Sequence, residues 1–246
     1  MNSKIILCAA LASSTALFGC SREVTSSQNI KTAGIAAIID VTAENDELST
    51  VVAELRIGGS SSNAFVSLDG DDKLVATAND PLKEIDASKD MVVEDLAGVY
   101  QAEFPTASKD AKFTVTFERA EADETARNNS GNMPAPFKIG PLPDTKPSRA
   151  TDDITITWDT PDTSAQMEAR LNGTCIFSET IDVVGDEGTL TIPKGKLQST
   201  GGDMPESCEI TVTMTRTRKG TADAAFDPES SFELHQVRKA EFVSAP

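Results

Sequence analysis

The chain has 246 residues, with 39 Asp and Glu against 22 Lys and Arg, a net charge of −17 and 5% aromatic residues. That length suits one or two domains, and so acidic a chain repels phosphate backbones and anionic headgroups, which argues against nucleic acid and against membrane attachment other than a covalent anchor. A single histidine and the lack of a Gly-x-Ser-x-Gly, a Gly-rich phosphate loop, a His-Glu-x-x-His or a dinucleotide fingerprint give the common catalytic chemistries no residues to work with. The expectation is a protein that is not an enzyme and takes no cofactor.

At the amino terminus Lys4 precedes an apolar run over residues 5–18. The run is too short to cross a bilayer as a finished helix, and one cation before it with small residues near its end fit a cleaved export signal. The motif Leu17-Phe18-Gly19-Cys20 resembles the lipobox of bacterial lipoproteins, with Phe18 where that family usually carries a small residue. The resemblance implies that residues 1–19 are removed, that the Cys20 thiol takes a diacylglycerol and that the new amino terminus is acylated. Several acyl chains, at ~0.8 kcal/mol per buried methylene, make a lasting anchor. The implied partner is therefore the membrane, through lipid, and the implied location is the bacterial cell envelope. Ser21, where Asp is absent, is similar to lipoproteins sorted to the outer membrane. Loss of Lys4 with the signal takes the net charge to about −18.

Residues 20–32 carry the lipidated cysteine and then Ser, Thr, Gln and Asn without a hydrophobic period, which predicts a flexible tether. Residues 33–127 then predict strands over 33–42, 48–57, 64–68, 74–77, 98–104 and 112–119. The last of these alternates Phe113, Val115 and Phe117 with Thr114, Thr116 and Glu118, the pattern of a half-buried antiparallel strand. Within this half, Leu96-Ala97-Gly98-Val99-Tyr100-Gln101-Ala102 resembles the tyrosine corner of immunoglobulin-like domains, which implies a hydroxyl returned to backbone and, with Ala102 in the place of a cysteine, no core disulfide. Between Val66, Leu68 and Leu74, the run Asp69-Gly70-Asp71-Asp72 offers hard oxygens to calcium, but it also reads as a solvated Asp-Gly turn. Asp69, Asp71 and Asp72 are weak calcium candidates, and no metal is otherwise expected.

Residues 128–149 are rich in proline, with Pro134, Pro136, Pro141, Pro143 and Pro147, and predict an extended, semi-rigid linker. Residues 150–246 return to period-two alternation: Ile154, Ile156 and Trp158; Met167, Ala169 and Leu171; residues 175–184; Leu190 and Ile192; Cys208, Ile210, Val212 and Met214; and residues 232–243. Asn172-Gly173 and Asp186-Glu187-Gly188 mark turns. Strands at this spacing predict a second sandwich of roughly a hundred residues. The fold class expected is all-β, with two immunoglobulin-like antiparallel sandwiches. Cys8 leaves with the signal and Cys20 carries lipid, so Cys175 and Cys208 remain as a pair, which in an exported protein forms a disulfide.

His235 alternates with Phe232, Leu234 and Val237 on a strand-like stretch and reads as structural and solvent-facing. The functional expectation is a membrane-anchored envelope lipoprotein that binds or adheres, with an unknown envelope or extracellular protein or glycan as partner, contacted through loops near 60–63, 69–73 and 199–205. A structural or assembly subunit of an envelope complex is the alternative, and a hydrolase built from carboxylates alone comes after it.

Overall fold

The alternation of apolar and polar side chains is realised as strands almost throughout. The computed structural model describes residues 23–93, 97–121, 124–201 and 207–246, so the segment expected to be an export signal, and Cys20, lie outside the described residues. In the first half the strands are β1 (Glu23–Ser26), β2 (Ile35–Ala43), β3 (Ser49–Ile57), β4 (Ala64–Ser67), β5 (Lys73–Asp80), β6 (Ile85–Asp90), β7 (Val92–Val93), β8 (Val99–Phe104), β9 (Lys112–Glu118) and β10 (Ala126–Asn132). The second half adds β11 (Ile154–Thr157), β12 (Gln166–Gly173), β13 (Glu179–Val183), β14 (Thr189–Ile192), β15 (Cys208–Lys219) and β16 (Ser231–Ser244). This is an all-β sandwich architecture.

One sheet runs through both halves in the order β1-β4-β3-β2-β16-β15-β12-β13, with β8 beside β3 and β7 beside β8. The first half packs this sheet against β10-β9-β5-β6, and the second packs it against the short pair β11-β14. The join is β16. Its first part pairs in parallel with β2, from Ser231 opposite Ile38 to Gln236 opposite Ala43, while Glu233 to Ser244 pair antiparallel with β15. Phe232 and Leu234 accordingly sit in the first core and Phe242 in the second. The connection between β15 and β16 also belongs to the first core, where Phe226 stacks on Phe117 with ring centroids 5.8 Å apart.

Three boundaries differ from those expected. Residues 23–34 are folded onto the first sandwich, not free as a tether: β1 pairs in parallel with β4, and Ser27 and Thr32 are buried. The cause is a distant side chain. Arg119 donates from Nη2 to the Ser27 carbonyl at 2.8 Å and from Nη1 to the Ile30 carbonyl at 3.0 Å, which satisfies backbone acceptors that a polar, aperiodic segment could not satisfy alone. Residues 128–132, assigned by composition to the linker, form most of β10 against β9. Here Asn129 is buried, donating to the Val115 carbonyl and accepting from the Asp223 N–H. Lastly, the division at residue 150 does not hold for the core, because the 219–236 region crosses back into the first sandwich.

Close backbone approach makes that return possible. Ser130 and Thr221 exchange two backbone hydrogen bonds, of 2.9 and 2.8 Å. A Cβ on Gly220 would come within 2.6 Å of the Ser130 carbonyl oxygen, and one on Gly131 within 3.1 Å of the Gly220 Cα. Two glycines therefore face each other where β10 meets the β15–β16 connection.

Candidate functional site

The region where the two sandwiches meet holds a fully buried ion pair. Arg216 points inward from β15 and is fully buried, and its Nε lies 2.6 Å from Oδ2 of Asp186, which is equally buried. Asp186 also accepts from the Trp158 indole N–H at 2.6 Å and from the Asp162 backbone N–H at 3.0 Å. Arg216 donates to the Ala135 carbonyl at 2.6 Å and lies over the Phe137 ring, 4.7 Å from its centroid. The proline-rich segment is thus packed in place, with Met133, Ala135 and Phe137 all buried. Removing charges from water is costly; Arg216, the Trp158 indole and the Asp162 N–H surround the Asp186 carboxylate and offset part of that cost, while Arg216 Nη2 has no hydrogen-bond partner among the described residues.

A second ion pair lies alongside. Arg218 Nη2 is 2.7 Å from Asp162 Oδ2, and Ser164 and the Ala135 N–H also donate to that carboxylate. Burial pushes the Asp162 carboxyl up, but the Ser164 and Ala135 hydrogen bonds together with the Arg218 charge outweigh it and hold the pKa at about 2. Gln236, buried on β16, donates to the Ala107 carbonyl at 2.7 Å. These contacts fix the two halves to each other; they offer no reactive group to solvent.

The residues singled out by sequence are scattered. Asp72 is buried and its Oδ2 lies 3.1 Å from Arg119 Nε, while its Oδ1 accepts from the Ala120 N–H. Asp69 and Asp71 remain exposed. A carboxylate already neutralised by a guanidinium is a poor calcium ligand, so Asp69, Asp71 and Asp72 do not converge as a calcium site. Cys175 and Cys208 are joined in a disulfide that ties the end of β12 to the start of β15. Asn172 and Gly173 lie inside β12, and the turn expected of them falls just after it. Ser60 is bonded through its N–H and hydroxyl to Glu229. Tyr100 does return its hydroxyl to backbone, donating to the Val66 carbonyl at 3.0 Å and accepting from the Leu68 N–H at 2.8 Å. That backbone belongs to β4 and the residue after it, far upstream in sequence, so the bond ties β8 to β4 and does not form a local corner.

One chemically distinct cluster was not anticipated as a group. The parallel register of β2 and β16 sets Asp40 opposite Glu233, with His235 two residues further along on the same face. The His235 Nε2 is 3.2 Å from Asp40 Oδ1, and its Nδ1 is 2.9 Å from Thr217 Oγ1 on β15. A donor atom from each of Asp40, Glu233 and His235 lies within 4.8 Å of the others, and all three residues are half-buried. His235 was expected to be solvent-facing; it is instead held between two strands. Its carboxylate partner Asp40 lies 195 residues away in sequence, on β2, so strand alternation alone could not reveal it.

No protein-family model matches the chain, and no curated protein is similar to it. Among solved structures it is similar to a tetra-tandem repeat in the extending region of a large adhesion protein, at 10% identity and a TM-score of 0.24, over 84% of this chain and 49% of that one. It therefore spans about half of that structure. It is also similar to a segment of two fibronectin type-III domains from chicken tenascin, at 10% identity and a TM-score of 0.24, over 86% of this chain and 99% of that one. A third likeness is to Escherichia coli alpha-2-macroglobulin, at 10% identity and a TM-score of 0.26, over 86% of this chain and 20% of that one. Likenesses at these scores carry no weight for function, and the sandwich architecture rests on the strand pairing itself.

Proposed function

We propose that the chain is a lipid-anchored binding protein of the bacterial envelope, without catalytic activity, that presents a rigid double sandwich to a protein or glycan partner. The anchoring half of the reading rests on the lipobox at residues 17–20. The binding half rests on the open edge at β13, the last strand of the long sheet, which among the described residues pairs only with β12. Exposed apolar side chains flank it, Phe177 being 63% and Val184 95% exposed. An unpaired edge presents backbone donors and acceptors, and apolar side chains beside it add area that a partner strand would bury.

Ordering of residues 23–34 sharpens the anchoring reading. A lipid on Cys20 would leave Ser21 and Arg22 between it and β1, a reach of at most ~11 Å at ~3.3–3.6 Å per residue step. The first sandwich would then lie against the membrane, with the second, carrying β13, projecting outward.

Two measurements test this. Metabolic labelling with palmitate is expected to mark the wild-type chain and not Cys20→Ser; equal labelling of both refutes the anchor. A photo-crosslinking residue placed at Phe177 or Val184 in whole cells is expected to give one adduct of defined mass, and none at Leu82, an exposed apolar residue of the first sandwich. No adduct at the β13 positions, or the same adduct at all three, overturns the assignment of that edge.

A further inference from the structure

We propose that Asp40, Glu233 and His235 bind a divalent transition-metal ion, of which zinc is the representative, at the strand seam between the two sandwiches. Zinc held tetrahedrally at bonds of about 2.0–2.1 Å separates its ligand atoms by roughly 3.3 Å. The Asp40 Oδ1 to His235 Nε2 distance of 3.2 Å already matches one edge of such a tetrahedron. Glu233, whose carboxylate is within 4.8 Å of both, needs only a side-chain rotation to supply the third ligand.

The surroundings favour metal over a plain ion pair. Thr217 Oγ1, 2.9 Å from His235 Nδ1, can accept the Nδ1 proton, which leaves the Nε2 lone pair aimed at the carboxylates. A hydrogen bond on the far ring nitrogen is the arrangement that orients histidine ligands in metal sites. Among the described residues the cation in competition is Lys219, with Nζ 3.8 Å from Glu233 Oε1 and a side chain 70% exposed, so it is free to swing into water. An imidazole with two carboxylates suits zinc and its neighbours, whereas calcium and magnesium prefer all-oxygen sets with more ligands. Water would complete the shell. Because Asp40 stands on β2 and the other two ligands on β16, the ion would pin the parallel pair that joins the first sandwich to the shared strand, and it would stabilise the folded chain by mass action.

The chain has one histidine, so its imidazole signals in proton NMR belong to His235 alone, provided the full-length protein is produced without a histidine tag. Titration with zinc chloride is expected to shift those signals and to saturate at one ion per chain, with calorimetry giving the same stoichiometry. Asp40→Asn and Glu233→Gln, which remove ligands, should each weaken binding by at least the roughly ten- to hundredfold that loss of an outer-shell partner costs a metal site. Asp46→Asn, on the adjoining loop, should leave it unchanged. Failure of the wild-type imidazole to respond, or stoichiometric binding that survives both His235→Gln and Asp40→Asn, would overturn the assignment. The wild-type titration alone decides the matter if a variant misfolds, and it is independent of whether Cys20 is lipidated or β13 meets a partner.

Discussion

The first sandwich closes over a large aromatic core, in which Tyr100, Phe104, Phe113, Phe117, Phe226 and Phe232 pack with the aliphatic residues of β2, β3, β5 and β9. The second has fewer rings, chiefly Phe137, Trp158 and Phe242, and sets only the two short strands β11 and β14 against its share of the long sheet. It adds a disulfide and the buried Arg216–Asp186 pair. Where a sheet pair offers little apolar area, the deficit is met by a cross-link and by directional polar contacts, as small cores generally require. The same contrast tells how each half should fail: the first by losing volume, the second by losing particular bonds.

The largest expected effect tests the polar side of that contrast. Arg216→Met leaves Asp186 buried without its counter-charge and should cost about 3–5 kcal/mol in denaturant unfolding. Arg216→Met with Asp186→Leu should recover part of the loss, though the Trp158 and Asp162 N–H donors are then left unpaired. A cost below about 1 kcal/mol for the single change would mean that the pair is not what holds the second half.

Next in size, replacing Cys175 and Cys208 together with alanine should cost about 2–4 kcal/mol by freeing the unfolded chain. Reduction of the wild type should reproduce that shift, and hydrogen exchange should show it concentrated in β12 and β15, with β5 and β9 little changed. Uniform acceleration would mean that the shared strand β16 transmits the loss throughout.

Tyr100→Phe probes the first sandwich. It removes the hydroxyl that pairs with Val66 and Leu68 but keeps the ring, so about 1–2 kcal/mol should be lost, since one carbonyl and one N–H of the β4 region lose a partner. A comparable effect appears in acid. The Asp162 carboxyl is more acidic folded, at about 2, than unfolded, at about 3.9. Its contribution is therefore complete above about pH 4 and is lost as pH falls through about 2. Asp162→Asn should flatten that part of the stability profile, measured by thermal unfolding between pH 5 and 2.

The strands of greatest alternation were legible in advance: 49–57, 112–118 and 154–157 were expected within a residue or two of where they lie. The strands missed were β1, β6, β7 and β10. Ile85-Asp86-Ala87-Ser88-Lys89-Asp90 is mostly exposed and polar, and β10 reads Ala-Arg-Asn-Asn-Ser-Gly-Asn. Such segments become strands because a neighbouring edge offers hydrogen bonds, and their own side chains carry no period to announce it. The burial of Asp72 was not legible for a related reason, since its partner Arg119 is remote in sequence.

By itself, the sequence determined the all-β class, the placement of the apolar alternating strands and the pairing of Cys175 with Cys208, because period-two burial and cysteine count are local or compositional properties. Tertiary structure alone decided that β16 would serve both cores, that residues 23–34 would fold back under Arg119, and that Asp40 would meet Glu233 and His235. Each of these depends on which strand edges lie side by side. That choice is made by the burial of whole sheet faces, and no local pattern in the chain encodes it.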